Sequence, residues 1–506
     1  MSETMTTTIP SKKPLAHIQP IRFIPLLAML VISGLFAATA SAQAKVPAHN
    51  APLGSQPKGS LGRLPDPANL ITGKLEVNVP QPDRFVLPNG LRVLYLQDKT
   101  LPVFRATLAF RVGSLEDPKG KEGLAAMTAS LLRNGGTDRT FWSQLDTLLE
   151  STGATVEFQA DKESTRGKIH CFDRDAAVVL DQVAGMLESP SFYTPRVEFI
   201  RGQMLAELKQ IQDQPIQLAL RSFQTMLYAG GSFGRFSTEP SLKSLVAEDF
   251  KTFAKTWFTP EQAVIAVSGP LSTDEAQKLL TKTLGGWGKG TNPALTRTEN
   301  KAWAKPGAYL RSKVGLTQAT VLIGLPWVKE DDPDSVALTA AMHALGESGL
   351  TSRIFNSIRT REGLAYAAGS FHLKAISTDG ANMAYALTKA EHADRCVQLL
   401  KAEIERLVKD GLTQQELDAT KRALAQSAVF DQVTAADILD RAADLAIFGR
   451  PQDTYAKRMD KLQALTLEDV HAAVRRHLKT EDLRIFVLAD PKSAHLGQMG
   501  PVTEVK

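Results

Sequence analysis

Two stretches of this chain carry the same pattern, and their repetition decides the fold. Residues 245–270 read LVAEDFKTFAKTWFTPEQAVIAVSGP, and residues 465–491 read LTLEDVHAAVRRHLKTEDLRIFVLADP. In each stretch an acidic pair opens a helix, and the helix leads into an apolar strand. Glu248 and Glu468 hold the same place in the pattern, separated by a little under half of the chain. A period this long indicates two duplicated domains rather than a solenoid of short repeats.

A second pair of segments supports the duplication. Glu116-Asp117-Pro118 precedes one helix pattern and Asp331-Asp332-Pro333 precedes another, at nearly the same long spacing. Strand patterns at residues 155–160 and 164–172 follow each other closely, which indicates a hairpin rather than a parallel crossover. The sequence therefore predicts an α+β fold with two homologous α/β sandwich domains, each a mixed, largely antiparallel sheet with helices packed on it.

The predicted domains occupy most of the chain. The N-terminal domain is expected at residues 83–290 and the C-terminal domain at 308–497, followed by a tail at 498–506. Residues 291–307 carry two prolines and several polar residues, and they predict a hinge linker. A chain of 506 residues with 43% hydrophobic side chains has enough apolar surface for more than one core.

The N-terminal region predicts export. Lys12, Lys13 and Arg22 precede an apolar run at residues 23–38, and small residues follow it, as in a signal peptide ending near residue 42. The run is shorter than the roughly 20 residues that a spanning helix needs, so no membrane span is expected in the mature chain. The bacterial type of leader predicts a periplasmic protein. Residues 43–82, rich in proline and glycine, predict an arm or linker.

Charge and cysteine content give no support for a nucleic-acid-binding protein or for a fold held by disulfides. The formal net charge is +5, and it falls to +3 when residues 1–42 are removed with three basic residues and one acidic residue. A nearly neutral chain without a concentrated basic face gives no reason to expect nucleic acid as a partner. Cys171 and Cys396 are the only cysteines and stand in different halves, so no disulfide framework is implied.

A motif in the second half carries candidate chemistry. The sequence RTREGLAY runs from Arg359 to Tyr366 and joins a predicted helix at residues 352–361 to a strand-like segment. A fixed guanidinium and phenol can hydrogen-bond a carbonyl oxygen and its developing charge. The structural alternative is an arginine that favours a helix C-terminus and a tyrosine that packs at a strand start.

The order of several motifs resembles that of the pitrilysin/insulinase family of zinc metallopeptidases, the inverzincins. LPNGLRV at 87–93, GSLEDPKGKEGLA at 113–125, SRIF at 352–355 and RTREGLAY occur in the family's order and at similar spacing. The likeness runs from about residue 83 to residue 491. The family's signature is H-x-x-E-H on a helix.

This chain departs from the family at the zinc helix. Alignment on the GLA that begins at Gly123 places Ala126, Ala129 and Ser130 where the family has its two histidines and its glutamate. Methyl groups and a hydroxyl neither bind zinc nor activate its water. Glu207 matches the family's third ligand, and its structural alternative is a solvated helix carboxylate. No metal is therefore expected on this chain.

Other groups do not replace the missing zinc ligands. His343 and Glu347 are four apart, but no second imidazole stands nearby in the sequence, so ordinary polar helix positions are the alternative for them. His471 and His477 are six apart and fall on different sides of a helix. Ser130 as a hydrolase nucleophile lacks a histidine base in its helix.

The resemblance implies a specific arrangement of subunits. In two-chain members of the family, one subunit carries the zinc helix and the other carries the arginine and tyrosine. This chain is similar to the second kind, which would form half of a clamshell that takes unfolded peptides. Arg359 and Tyr366 would then act in trans at a zinc site on a homologous partner, so the chain is expected to be inactive alone. The alternative is a catalytically silent structural or peptide-binding homologue.

Overall fold

The computed structural model describes residues 80–290, 293, 295, 297, 303–373, 375–430 and 434–505. These residues belong to one compact unit. The predicted signal peptide at 1–42, most of the arm at 43–82 and much of the hinge at 291–307 lie outside the described residues. Within the described part, no helix has both the length and the apolar character to cross a bilayer.

The first half of the chain forms a six-stranded sheet. Its spatial order is β1-β2-β6-β3-β5-β4, in which β2 and β6 run parallel and the other neighbours run antiparallel. Its strands are β1 Asp83–Val86, β2 Arg92–Gln97, β3 Val103–Phe110, β4 Thr155–Ala160, β5 Thr165–Phe172 and β6 Ala263–Gly269. The antiparallel hairpin of β4 and β5 is the one that the sequence predicts, and β4 lies at the edge of the sheet.

The second half forms a sheet of the same size. Its order is β12-β7-β11-β8-β10-β9, so β9 is an edge strand. Its strands are β7 Gly307–Ser312, β8 Gln318–Trp327, β9 Ala365–Leu373, β10 Gly380–Lys389, β11 Arg484–Ala489 and β12 Val502–Glu504. β12 comes from the segment expected to be a tail and pairs in parallel with β7. The predicted α+β fold with two mixed, largely antiparallel sheets is confirmed.

Helices pack on both sheets. In chain order they are α1 Leu124–Asn134, α2 Trp142–Thr152, α3 Ala176–Glu188, α4 Thr194–Gln212, α5 Pro215–Leu227, α6 Glu239–Ser244, α7 Ala247–Trp257, α8 Thr273–Leu284, α9 Ser335–Met342, α10 Arg353–Phe355, α11 Ala393–Asp410, α12 Gln414–Phe430, α13 Ala435–Ile447, α14 Thr454–Ala464 and α15 Leu467–His477. Two π-helical segments, His343–Glu347 and Asn356–Arg361, continue α9 and α10.

The repeated sequence forms the same unit twice. α7 leads into β6 and α15 leads into β11, and both strands are buried along their whole length. The carboxylate of Asp469 accepts a hydrogen bond from the Thr466 amide, 2.8 Å long, and Asp249 does the same for the Val246 amide at 2.9 Å. The second acidic residue of each repeat therefore fixes the start of its helix.

The two halves exchange helices. α5, from the first half, packs on β8 and β11 of the second sheet, and Gly324 of β8 lies directly under Phe223. A Cβ atom at Gly324 would come within 2.5 Å of the Phe223 ring, so glycine is required for this contact. In return α13, from the second half, covers β2, β3 and β6 of the first sheet. The two helices stand at corresponding places in the repeat.

Arg297 holds the two halves together at the linker. Its side chain is only 7% exposed, and its guanidinium donates to both carboxylate oxygens of Glu116, at 2.8 and 3.2 Å. It also donates to the Glu163 carbonyl at 2.7 Å and to the Ser377 hydroxyl at 2.9 Å. The Glu163 carboxylate accepts from the amides of Ile376 and Ser377, each at 2.8 Å. The network thus joins residues of both halves.

Candidate functional site

The helix that precedes the arginine and tyrosine motif is anchored by Arg353. This guanidinium is buried and donates to both carboxylate oxygens of Glu416, each at 2.6 Å, and to the Gly411 carbonyl at 2.7 Å. The Ser352 hydroxyl caps the helix by accepting from the Phe355 amide. No local pattern identifies Glu416 as the partner, because it follows far along the chain. Arg353 therefore has a structural position rather than a substrate-binding one.

A glycine turn sets the distance between the arginine and the tyrosine. The predicted helix at residues 352–361 is present, but its second part, Asn356–Arg361, is π-helical, a rare form that is frequent at functional sites. Gly363 follows with φ of 65°, and its amide donates to the Arg359 carbonyl at 3.1 Å. This left-handed conformation favours glycine and turns the chain sharply into β9.

The structure brings Arg359 and Tyr366 together. The Arg359 guanidinium donates to the Tyr366 carbonyl at 3.0 Å and lies 4.5 Å from the centre of its ring. On another side it lies 5.0 Å from the ring of Phe355. Tyr366 is 62% exposed and stands near the start of the edge strand β9. The pair therefore forms a fixed cation and an accessible phenol at the border of the second sheet.

The helix that the resemblance aligns with the family's zinc helix is α1. Ala126 and Ser130 lie on its half-buried face, whereas Ala129 is completely buried. The hydroxyl and the carbonyl of Ser130 accept hydrogen bonds from the Asn134 amide group. Asp117 accepts from the amides of Gly123 and Ala125, at 2.7 and 2.8 Å, and so occupies the start of α1. Burial raises the pKa of Asp117 to about 6, although these two hydrogen bonds oppose the shift.

Glu207 is an exposed residue of α4 and interacts electrostatically with Arg221 of α5. Burial lowers the pKa of Arg221, and the Glu207 carboxylate opposes that shift. The Arg221 guanidinium donates to the Ser237 carbonyl and lies 5.1 Å from the ring of Phe236. A cation thus interacts electrostatically with the carboxylate that the resemblance aligns with the family's third zinc ligand.

A cleft of about 240 Å³ lies next to α1. Its walls are Ser114, Asp117, Glu122, Gly123, Ala126, Ala160, Asp161, Lys162, Arg235, Phe236 and Ser237. Burial lowers the pKa of Lys162 to about 8, Asp117 opposes this shift, and Arg221 and Arg235 add to it. Sequence reasoning missed Lys162 and Arg235 because they belong to a hairpin turn and a distant loop, with no motif to link them.

The histidines considered as zinc ligands in the sequence have partners of other kinds. The His343 imidazole lies 3.3 Å from the Thr420 hydroxyl, and Glu347 pairs instead with His372 at 2.7 Å. His471 lies against the backbone of Leu412. None of these contacts assembles three metal ligands.

One group of possible ligands occurs among the described residues, formed by Asp332, Asp334 and His477. The imidazole of His477 lies 2.8 Å from a carboxylate oxygen of Asp334, and Arg476 binds the same carboxylate. These contacts form an ion-pair network that joins the C-terminal end of α15 to the residues before α9.

The two candidate sites lie in different halves of the chain. α1 packs against β4 of the first sheet, and the arginine and tyrosine stand at β9 of the second. One site holds an arginine and an accessible tyrosine, and the other has alanines and a serine at the positions that the resemblance aligns with the family's metal ligands.

Two family models match the chain, and together they cover about two thirds of it. Residues 92–240 match the insulinase family, peptidase family M16, and residues 244–424 match the domain described as peptidase M16 inactive domain. The boundary between the two matches falls just before α7.

Similar proteins come from distant bacteria and from a plant. The "non-peptidase homolog YmxG" of Helicobacter pylori is 26% identical over 79% of this chain and 92% of its own length. A probable mitochondrial-processing peptidase subunit beta of Arabidopsis thaliana is 22% identical over 81% of this chain and 79% of its own length.

Solved structures show the same fold. A peptidase M16 inactive domain from Pseudomonas fluorescens superposes with a TM-score of 0.73 and 25% identity, covering 83% of this chain and 99% of that one. The periplasmic protease PqqL of Escherichia coli gives a TM-score of 0.69 at 16% identity, covering 92% of this chain and 51% of that one. The resemblance found in the sequence is confirmed, as is the expectation of a chain that is inactive alone: the chain belongs to the insulinase family, peptidase family M16.

Proposed function

We propose that this chain is the non-zinc subunit of an exported, heterodimeric zinc peptidase, and that it lends Arg359 and Tyr366 to a site whose metal is held by a homologous partner. The observation that carries the proposal is the contrast between the two candidate sites. Arg359 and Tyr366 are held together at an exposed strand edge, with the 3.0 Å hydrogen bond and the ring contact described above. The zinc helix of the same chain holds alanines and a serine.

Arg359 has the donors that the proposed role requires. A guanidinium carries five N–H donors, and within the described residues that of Arg359 makes one hydrogen bond, to the Tyr366 carbonyl. Its remaining donors are therefore able to bind the scissile carbonyl oxygen of a peptide. Zinc on the partner would polarise that carbonyl and supply the attacking water. Arg359 would stabilise the negative charge that develops on the oxygen, and the Tyr366 phenol would add a second donor.

The substrate class follows from the sheet edges. β9 carries Tyr366 and has β10 as its only neighbour among the described strands, and β4 has only β5. An extended peptide can add to such an edge through backbone hydrogen bonds, which discriminate little between sequences. We infer that unfolded peptides are the substrates. On the basis of the predicted signal peptide, we propose that the reaction takes place in the periplasm.

Turnover by the reconstituted pair tests the proposal. The mature chain is mixed with a homologue that carries H-x-x-E-H, and hydrolysis of an unstructured peptide is measured. We expect Arg359→Ala to lower kcat about 100-fold, the size typical for loss of one oxyanion donor, and Tyr366→Phe to lower it in the same direction. Arg361→Ala is the matched control, because Arg361 is exposed and lies in the same helical segment. Unchanged turnover in both site variants would refute the shared site.

A second candidate is a catalytically silent structural or peptide-binding homologue. The name of the Helicobacter pylori relative, a non-peptidase homologue, favours it. The two candidates differ in one respect that is simple to measure. A silent homologue would leave the partner's kcat unchanged whether or not the two chains associate, while the shared-site subunit would raise it.

A further inference from the structure

We propose that the cleft beside α1 binds the C-terminal carboxylate of an extended peptide, through the side chains of Lys162 and Arg235. This inference rests on the proposed peptide-binding function and assigns a new anion site to the place where the family holds its metal. Ala126, at a former ligand position, forms part of the wall. In this chain the positive charge of the cleft comes from the side chains of Lys162 and Arg235.

Lys162 has hydrogen-bonding capacity left for a ligand. Its ammonium donates to the Arg235 carbonyl at 2.5 Å and lies 4.0 Å from the centre of the Phe236 ring. An ammonium has three N–H donors, and only this one hydrogen bond is made within the described residues. A half-buried donor without an acceptor is costly, so an anion in the cleft would be stabilised by it.

The Arg235 guanidinium has more hydrogen-bond donors left for a ligand than the Lys162 ammonium has. Its side chain is 22% exposed, and its guanidinium lies 3.6 Å from a carboxylate oxygen of Glu122. Within the part of the chain that the structure describes, this guanidinium has no closer acceptor, although it has five donors. Planar guanidinium donors match the two oxygens of a carboxylate, which makes this group the natural second contact.

The acidic residues of the cleft are already engaged. Asp117 accepts from two backbone amides of α1, and Asp161 pairs with Arg166 at 3.1 Å. Glu122 accepts from the Gly120 amide at 3.1 Å besides its contact with Arg235. The donors that remain are those of Lys162 and Arg235. Arg221 adds positive charge nearby, since it lowers the pKa of Lys162. A carboxylate complements the remaining donors of Lys162 and Arg235.

The adjacent edge strand indicates that the carboxylate belongs to a peptide terminus. β4 ends at Ala160, and Ala160 itself lines the cleft beside Asp161 and Lys162. A peptide that adds to β4 in the parallel sense runs in the same direction and presents its C-terminus to Lys162. The cleft, at about 240 Å³, is large enough for a terminal residue.

Binding of one peptide in two chemical forms tests the proposal. Fluorescence anisotropy is measured with the mature chain and a labelled unstructured peptide, as the free C-terminal acid and as the C-terminal amide. We expect the acid to bind about 10-fold more tightly, the size of one charge-assisted hydrogen bond. Lys162→Met, which keeps an unbranched side chain and removes the ammonium group, should abolish the preference. Lys243→Met is the control, because Lys243 is exposed on α6.

Equal affinity for acid and amide in the unsubstituted chain, or no binding of either, would overturn the proposal. This comparison does not depend on any variant, so it remains decisive if Lys162→Met fails to fold. Lys162→Arg should keep the preference, and its loss in that folded variant would also count against the proposal. The measurement needs no zinc-bearing partner. The shared site is judged by turnover of the mixture, so the two ideas can fail separately.

Discussion

Phe223 of α5 meets Phe486 of β11 with the ring centres 5.8 Å apart and the planes at 68°. Since α5 belongs to the first half of the chain and β11 to the second, this contact joins the two halves through a core. Both rings are completely buried. Part of one face of each sheet is therefore buried by a helix from the other half of the chain.

Phe223→Ala should destabilise the whole unit rather than one sheet. Truncating a fully buried phenylalanine typically costs about 3–5 kcal/mol. Because the Phe223 ring covers the second sheet from a helix of the first half, we expect a single unfolding transition at lower denaturant concentration. Phe199→Ala is the control, since Phe199 is 50% exposed. Two separate transitions in the unsubstituted protein would contradict this coupling.

Arg297→Met should lower stability by removing the link between the halves. Glu116 and Arg297 are each only 7% exposed at their side chains, so the substitution leaves a buried carboxylate without its cation. Removing one partner of a buried pair costs about 3–5 kcal/mol. Urea unfolding of both proteins measures the difference. A change below the error of the extrapolation would show that Arg297 does not join the halves energetically.

Glu416→Gln should weaken the contact that anchors α10 and should remove part of the pH dependence of the free energy of unfolding. Burial raises the pKa of Glu416, but hydrogen bonds from Arg353 and from Thr413 outweigh it and lower the pKa to about 2. Because the pKa of Glu416 is lower in the folded protein than its ordinary value of 4.5, its ionised carboxylate stabilises the fold at pH values above 4.5. This contribution to the free energy of unfolding is lost as the pH falls from 4.5 towards 2.

Unfolding free energies of the two proteins at several pH values check this expectation. The difference between them should be largest at neutral pH and should shrink as the pH falls through that window. A difference that stays constant from pH 7 to the acid limit would contradict the assigned role of the carboxylate. Glu239→Gln is a suitable control, because Glu239 is exposed and pairs with Lys243 on the surface.

The purified chain should contain no stoichiometric zinc. The resemblance aligns Ala126, Ala129 and Ser130 with the family's ligands, and Arg221 interacts electrostatically with Glu207. Methyl groups offer no lone pairs, and a nearby cation repels a metal ion. Metal analysis after dialysis measures the content, with an H-x-x-E-H homologue as the positive control. One tightly held zinc per chain would contradict the account.

Sequence reasoning predicted the local units well because their signals are local. The acidic starts of α7 and α15 and the apolar runs of β6 and β11 are readable from a few neighbouring residues. Arg359 and Tyr366 lie together because only seven positions and one glycine turn separate them. The roles in catalysis assigned to them stay predictions.

Features that depend on distant residues were not predicted. The exchange of α5 and α13 between the sheets leaves no mark in the periodicity of either helix, because a helix buries the same apolar face whichever sheet it covers. The partner of Arg353 is far away in the sequence, and β12 is a short segment that becomes a strand only by pairing with β7. The cleft at Lys162 likewise arises from packing of a turn against a loop.

The most direct test of the central claim is peptide hydrolysis by the mature chain, alone and mixed with an H-x-x-E-H homologue, with and without a metal chelator. A complementing subunit should be silent alone, and the mixture should hydrolyse peptide faster than the homologue does by itself, with all activity lost on chelation. If the homologue is equally active without this chain, or if the chain alone shows activity that the chelator leaves unchanged, the claim of a shared zinc site is contradicted.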